Sequence, residues 1–212
     1  MIHIKPFEFN YFSVNTYLVY DDTKEGVLID CGCMRREEEQ ELSAFIEENG
    51  ITLTHLLCTH LHVDHIMGNE FIYRTYGLSP EAHRAEVEVL PSAQKQAELL
   101  GLPIKISDVP VKHFIVGNDR IQFGNSELKA LLVPGHSPGS LAFYNEANGF
   151  AVVGDALFER SIGRTDLWGG NTDVLVAAIR DKLLSLPDET IIYPGHGPET
   201  RVVDEILNNP FL

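Results

Sequence analysis

Apolar and polar positions alternate over residues 2–9 and again over 14–20, the period of half-buried strands. "GVLIDCG" (26–32) adds a third apolar run that closes in a turn at Asp30-Cys31-Gly32. In "MRREEEQELSAFIEENG" the period changes: Leu42, Phe45 and Ile46 share one helical face, and Gly50 is a stop signal. "LTHLLC" (53–58) is a short run of buried-strand type, and residues 66–76 read as a helix. Residues 79–101 read as two short helices split at Pro91. A second set of strands follows at about 111–116, 119–123, 126–133, 140–145 and 150–153. "NTDVLVAAIRDKLLSL" predicts a helix with Asn171 or Thr172 as N-cap. "TIIYPGHG" is again an apolar strand followed by a polar loop, and a short helix closes the chain.

The order is strands, helix, strand, helices, and then the same again. It fits an α/β protein in which two packed sheets carry helices on their outer faces, a four-layer αββα sandwich, although periodicity alone does not separate that layout from other α/β arrangements. The length of 212 residues suits one domain over 1–212, with no repeat or linker to divide it. The apolar residues of 79–101 (Val87, Val89, Leu90, Leu99, Leu100) read as core, with a substrate cleft or a homodimer contact as alternatives.

The formal net charge of -15, with no basic cluster, argues against nucleic acid and anionic membrane surfaces as partners. No apolar stretch approaches the roughly 20 residues that span a bilayer, and the N-terminus lacks a basic region and cleavage site. A cytoplasmic protein is expected. Cys31, Cys33 and Cys58 imply no disulfide framework and read as small packing residues.

Four polar loops each follow an apolar run: "THLHVDH", "PGHSPGS", "GDALF" and "PGHG". Strand ends on one edge of a layered α/β protein converge, which would gather His60, His62, Asp64, His65, His136, Asp155 and His196. Imidazole and carboxylate without thiolate suit zinc, manganese or iron. Seven ligands exceed the needs of one tetrahedral ion and fit two ions bridged by a carboxylate. His3, His55, His83 and His113 lack such context and read as surface or satisfied core residues.

"THLHVDH", "PGHSPGS", "GDALFERSIGRTD" and "YPGHG", with weaker support from "NTY" and "IDCG", resemble the metallo-β-lactamase fold superfamily along nearly the whole chain. The resemblance is closest to its glyoxalase II-like (hydroxyacylglutathione hydrolase-like) thioesterase branch. It implies the αββα sandwich and two divalent metal ions, usually zinc, with iron and manganese also accepted. Carried over by position, His60, His62 and His136 hold one ion, Asp64, His65 and His196 the other, and Asp155 bridges them. The implied reaction is attack on a small-molecule thioester by a hydroxide shared between the ions. Asp64 and Asp155 are then the candidate catalytic carboxylates, Asp64 by orienting the nucleophile.

In that branch a basic residue at the position of Arg164 contacts the carboxylate of the thiol. The aromatic residue that assists it is replaced here by Asp166, so Arg164 either binds substrate or pairs with Asp166 and braces the loop; both roles can hold. Only 16 residues follow His196, so no C-terminal glutathione-binding helical domain is expected. The alternative is a mononuclear iron persulfide dioxygenase using His60, His136 and Asp155, against which "YPGHG" retains His196. Lactone or β-lactam hydrolysis has no positive support, and phosphodiester cleavage less. Electron-transfer relatives typically carry glutamate where this chain has His62.

Overall fold

The computed structural model describes residues 1–212 and contains two six-stranded mixed sheets. Strands β1 (Ile2–Phe9), β2 (Val14–Asp21), β3 (Glu25–Ile29), β4 (Thr52–Leu57), β5 (Pro80–Ala82) and β6 (His113–Phe114) lie side by side in chain order. The second sheet uses β7 (Arg120–Phe123), β8 (Ser126–Leu132), β9 (Leu141–Asn145), β10 (Phe150–Gly154), β13 (Ile191–Pro194) and β14 (Thr200–Arg201), in the order β14-β13-β10-β9-β8-β7. A small hairpin, β11 (Leu157–Phe158) and β12 (Ser161–Ile162), follows β10.

Side-chain alternation builds the layers. Tyr17, Val19, Val27, Ile29 and Leu57 point from the first sheet into a shared core with Ile121, Phe123, Leu128, Leu141, Phe143, Phe150 and Val152 of the second. Their neighbours Leu18, Leu28 and Leu56 face the opposite way, onto Leu42 and Ile46 of α1 (Arg36–Glu48) and onto Phe71 and Ile72 of α3 (Asn69–Tyr76). Leu131, Ala142, Ala151 and Val153 face the other outer layer. That layer is α6 (Thr172–Ala178), which continues as a π-helical turn Ile179–Leu183, and α7 (Val202–Asn208). A period of two with both faces covered is what an αββα sandwich requires. Burying each fully covered Leu, Ile, Val or Phe contributes about 1.5–3 kcal/mol, so the three cores dominate the stability of the fold.

Local predictions hold best where capping chemistry is strong. Asn171 is the N-cap of α6, its side-chain oxygen accepting from Val174 N at 3.1 Å. Cys31, Cys33 and Cys58 are buried free thiols, the first two within the outer core of the first sheet. Three readings need correction. The helix expected over 66–76 is two pieces, α2 (Val63–Ile66) and α3. Residues 80–82 form strand β5, because parallel pairing with β4 and β6 overrides their helical neighbours. The helices that remain are α4 (Arg84–Val89) and α5 (Ala93–Leu99). Their large apolar side chains do not form core: Val87, Val89, Leu99 and Leu100 are between 43% and 58% exposed. These helices are too short to present a full apolar face inward, and their buried positions go to Glu86, Ala93, Gln96 and Ala97 instead. No helix is long and apolar enough to cross a membrane.

Candidate metal centre

Strand direction creates the site. Strands β3 and β4 are parallel, and β8, β10 and β13 also run one way, since β9 is antiparallel to both β8 and β10 while β13 is parallel to β10. Each sheet therefore releases its polar loops at one edge. The two edges are stitched by Leu141 N donating to Thr59 O (2.8 Å), Asn15 N to Gly195 O (2.7 Å) and Tyr17 OH to Pro194 O (2.7 Å).

All seven residues singled out as candidate ligands meet there. His60, His62 and His136 form one group and Asp64, His65 and His196 another, each with ligand atoms within 4.8 Å of one another. His136 Nε2 lies 3.2 Å from His60 Nε2 and 2.9 Å from His62 Nδ1. Asp64 Oδ2 stands 3.4 Å from His196 Nε2 and 3.7 Å from His65 Nε2. Asp155 touches both groups: Oδ1 is 3.3 Å from His65 Nε2, and Oδ2 is 3.7 Å from His136 Nε2 and 3.6 Å from His196 Nε2.

Hydrogen bonds behind the rings fix which nitrogen faces inward. His136 Nδ1 meets Arg164 O at 2.8 Å and His196 Nδ1 meets Phe12 O at 2.9 Å; a carbonyl only accepts, so both Nδ1 atoms carry the proton. Asp30 does the same for two more rings. Its Oδ2 accepts from His65 Nδ1 (3.0 Å) and from the Thr59 hydroxyl (2.6 Å), while Oδ1 accepts from Thr59 N (2.7 Å). With its one proton given to Asp30, the Thr59 hydroxyl accepts from His60 Nδ1 at 2.9 Å. Four rings thus turn Nε2 toward the centre, the orientation in which metal-binding histidines are held by their outer partners. In sequence Asp30 reads as a turn residue and as part of the weakly supporting "IDCG" motif, with no role of its own at the centre. It sits in the left-handed region at φ 54°, which aspartate tolerates better than most residues.

The charge pattern divides the site. Burial, followed by the neighbouring imidazoles, holds His60 well below its ordinary value and pushes His62 down to about 3. Burial also lowers His136 in spite of Asp155. These three rings are neutral and able to donate lone pairs. On the other side burial works against charge, yet Asp155 and Asp64 raise His65 well above its ordinary value. His196 is raised likewise, burial being outweighed by its hydrogen bond to Asp64. Asp155 is held low by His65, His136 and His196 although burial alone would raise it.

The donor set fits metal ions by a structural criterion. His65 Nε2 and Asp155 Oδ1 are buried facing each other at 3.3 Å and have no other hydrogen-bond partner, and buried groups so thinly satisfied are costly unless something binds them. A tetrahedral ion with bonds of about 2.0–2.1 Å spaces its ligands about 3.3–3.4 Å apart, close to the separations within the three-histidine group.

A cleft of about 230 Å³ opens over the centre, lined by Phe12, Leu100, Leu167 and Trp168 as well as His62, Asp64, His136, Asp155, Arg164 and His196. Phe12, Leu167 and Trp168 carried no signal of their own beyond flanking the "NTY" and "GRTD" motifs. Arg164 lines this cleft and also pairs with Asp166, Nε to Oδ1 at 2.7 Å and Nη2 to Oδ2 at 2.8 Å. The guanidinium pulls the Asp166 carboxyl down to about 2. His55 and His113 instead share Glu81, each Nδ1 2.6 Å from one of its oxygens.

The family model for the metallo-beta-lactamase superfamily matches residues 10–196, and the chain belongs to that superfamily. It is similar to the probable metallo-hydrolase YqgX of Bacillus subtilis, at 36% identity over 92% of this chain and 90% of that one. Hydroxyacylglutathione hydrolase GloC of Haemophilus influenzae is 35% identical over 95% and 93% of the two chains. The mitochondrial persulfide dioxygenase of Bos taurus is 31% identical over 85% of this chain and 63% of the dioxygenase. Among solved structures, the BLEG-1 B3 metallo-beta-lactamase superimposes with a TM-score of 0.89 at 33% identity, covering 99% of both chains. A di-iron-bound form of TTHA1623 superimposes at 0.86 with 34% identity over 98% of this chain and all of the other. The fold is that of the superfamily, the chain is a metallo-hydrolase homologue, and its candidate ligands suit divalent metals.

Proposed function

We propose that this chain is a single-domain binuclear-metal hydrolase that cleaves a small-molecule thioester, with zinc as its usual metal. The observation that carries the reading is Asp155, within 3.3–3.7 Å of imidazoles from both ligand groups and therefore suited to a shared, bridging position. His60, His62 and His136 would hold one ion, and Asp64, His65 and His196 the second. Bound divalent ions would supply acidified water and polarisation of an acyl carbonyl.

The chain's own residues do the rest. Asp30 and Thr59 keep His60 and His65 in the tautomers that face inward. Asp64, anchored through its backbone oxygen by Asn10 Nδ2 at 3.0 Å, presents a carboxylate at the floor of the cleft, where it can orient a water. Phe12, Leu100, Leu167 and Trp168 give that floor apolar walls that shed water around an acyl group. Arg164 offers the cleft a cation for a polar end of the thiol. A thiolate leaving group needs little proton donation, which agrees with a cleft lacking a separate acid. The hydroxyacylglutathione hydrolase relative supports the thioester class, and the net charge of -15 continues to argue against nucleic-acid or anionic membrane partners.

The test is elemental analysis of protein purified without added metal, with thioester hydrolysis assayed on the same sample. About two zinc, manganese or iron ions per chain with turnover is expected. A single iron, oxygen consumption with a persulfide and no thioesterase activity would replace this reading with the dioxygenase one.

A further inference from the structure

We propose that Glu86, a residue of α4 remote in sequence from every ligand motif, is a positioning residue that locks the two loops of the three-histidine group together. The inference rests on His60, His62 and His136 being metal ligands. Glu86 is fully buried. Its Oε2 accepts from Leu61 N at 2.9 Å, and Leu61 lies between His60 and His62. Its Oε1 accepts from Ser137 Oγ at 2.7 Å, the residue after His136, and from Gly139 N at 2.6 Å, three residues after it. One carboxylate thus spans both loops within three residues of their ligands. Any slip of one loop against the other would change the 3.2 Å separation of His60 Nε2 and His136 Nε2.

Glu86 forms none of the chain's ion pairs, so hydrogen bonds alone compensate its burial. A buried carboxylate without a cation is a poor way to fill space, and an apolar side chain of similar size would pack there at less expense. What the carboxylate adds is a set of fixed acceptors. Gly139 makes the approach possible, since a Cβ there would come within 3.1 Å of Glu86 Cγ and 2.7 Å of His83 Nδ1. Gln96 of α5 holds the same loop as well, accepting from Val63 N at 3.0 Å and donating to Leu61 O at 2.9 Å. The α4–α5 segment therefore braces the first ligand loop, and Glu86 alone carries that brace across to the second.

Glu86→Gln keeps the volume but turns one oxygen into a donor, which must face Leu61 N–H or the Gly139 and Ser137 donors. Cobalt(II) affinity is measured on the full chain by chelator competition, with visible absorption read in parallel. A His196→Ala background isolates the three-histidine group, and a His62→Ala background the other. Loss of an outer partner typically weakens a metal site by about 10–100-fold; that loss, with altered cobalt bands, is expected in the first background, against less than about threefold in the second. Ser137→Ala, which removes one of the three bonds, should give a smaller loss at the same site, and Gly139→Ala should displace the carboxylate sterically. These two variants carry the test if Glu86→Gln fails to fold. Equal weakening in both backgrounds, or none in either, overturns the positioning role. A parent chain that takes up no cobalt overturns the metal reading and the proposal with it.

Discussion

Replacing Asp30 by Asn isolates the hydrogen bonds that organise the centre while leaving all seven ligands proposed for the two ions in place. Asparagine has the same shape and tolerates the left-handed backbone at φ 54°, so strain is not introduced. It does exchange one of two oxygens for an NH2 group. Placed at Oδ1, that group faces Thr59 N–H, 2.7 Å away; placed at Oδ2, it faces His65 Nδ1–H at 3.0 Å and the Thr59 hydroxyl at 2.6 Å. In either pose a buried donor meets a donor. An orphaned buried donor costs about 1–3 kcal/mol, and the remaining bonds weaken from charged to neutral strength. The sum is about 2–4 kcal/mol, a sizeable part of the roughly 5–15 kcal/mol that stabilises a typical domain.

The consequence for the centre is separable from the loss of stability. The escape open to His65, once neutral, is to keep its single proton on Nε2 rather than Nδ1, which aims an N–H where a lone pair is needed. Asp30→Asn should therefore lower the melting temperature by roughly 5–15 °C, given about 2–4 °C per kcal/mol at this size. It should also weaken metal uptake by about 10–100-fold. Calorimetry with chelator present reads the first, and competitive metal titration at a temperature where both proteins are folded reads the second. A variant within about 0.5 kcal/mol of the parent, taking up metal normally, would refute the account of Asp30 as the residue that sets ring tautomers.

Gly195→Ala should damage the centre by steric means alone, because its Cβ would fall 2.2 Å from Asp155 Oδ1 and 2.7 Å from His65 Cε1; metal content should drop while all candidate ligands remain, and full occupancy in elemental analysis would contradict the packing. Arg164→Ala should raise KM for a thioester bearing an anionic thiol and leave kcat within about threefold, since uniform binding is what such a contact supplies. Equal losses with an uncharged thiol would assign Arg164 to bracing the loop with Asp166. Away from the centre, Glu81 holds His55 above its ordinary value and is itself held low, by His55 and then His113, against burial. The His55 contribution is complete below about pH 6.5 and is lost as pH rises through the raised value, whereas that of Glu81 is present above about pH 4.3 and is lost as pH falls through the lowered one. His55→Gln should flatten the fall in melting temperature above pH 6.5, and an unchanged slope in thermal scans would remove His55 from that dependence.

Much of the fold and nearly all of the candidate centre are legible in the sequence, for one reason. Strand alternation and the polar loops after apolar runs are local patterns, and the seven candidate ligands lie within those loops. What pairs with what is not local. That residues 80–82 join the sheet as β5 depends on the β4 and β6 edges that receive them. The exposure of Val87, Val89, Leu99 and Leu100 depends on where α4 and α5 dock, which their own apolar content misstates. Asp30 and Glu86 look in sequence like a turn residue and one acid among many. Only the folded chain brings Asp30 to Thr59 and His65, or Glu86 to Leu61, Ser137 and Gly139. A ligand declares itself by its chemistry, in a motif a few residues long; the groups that aim it are defined by hydrogen bonds across tens of residues, and those exist only once the two sheets have packed.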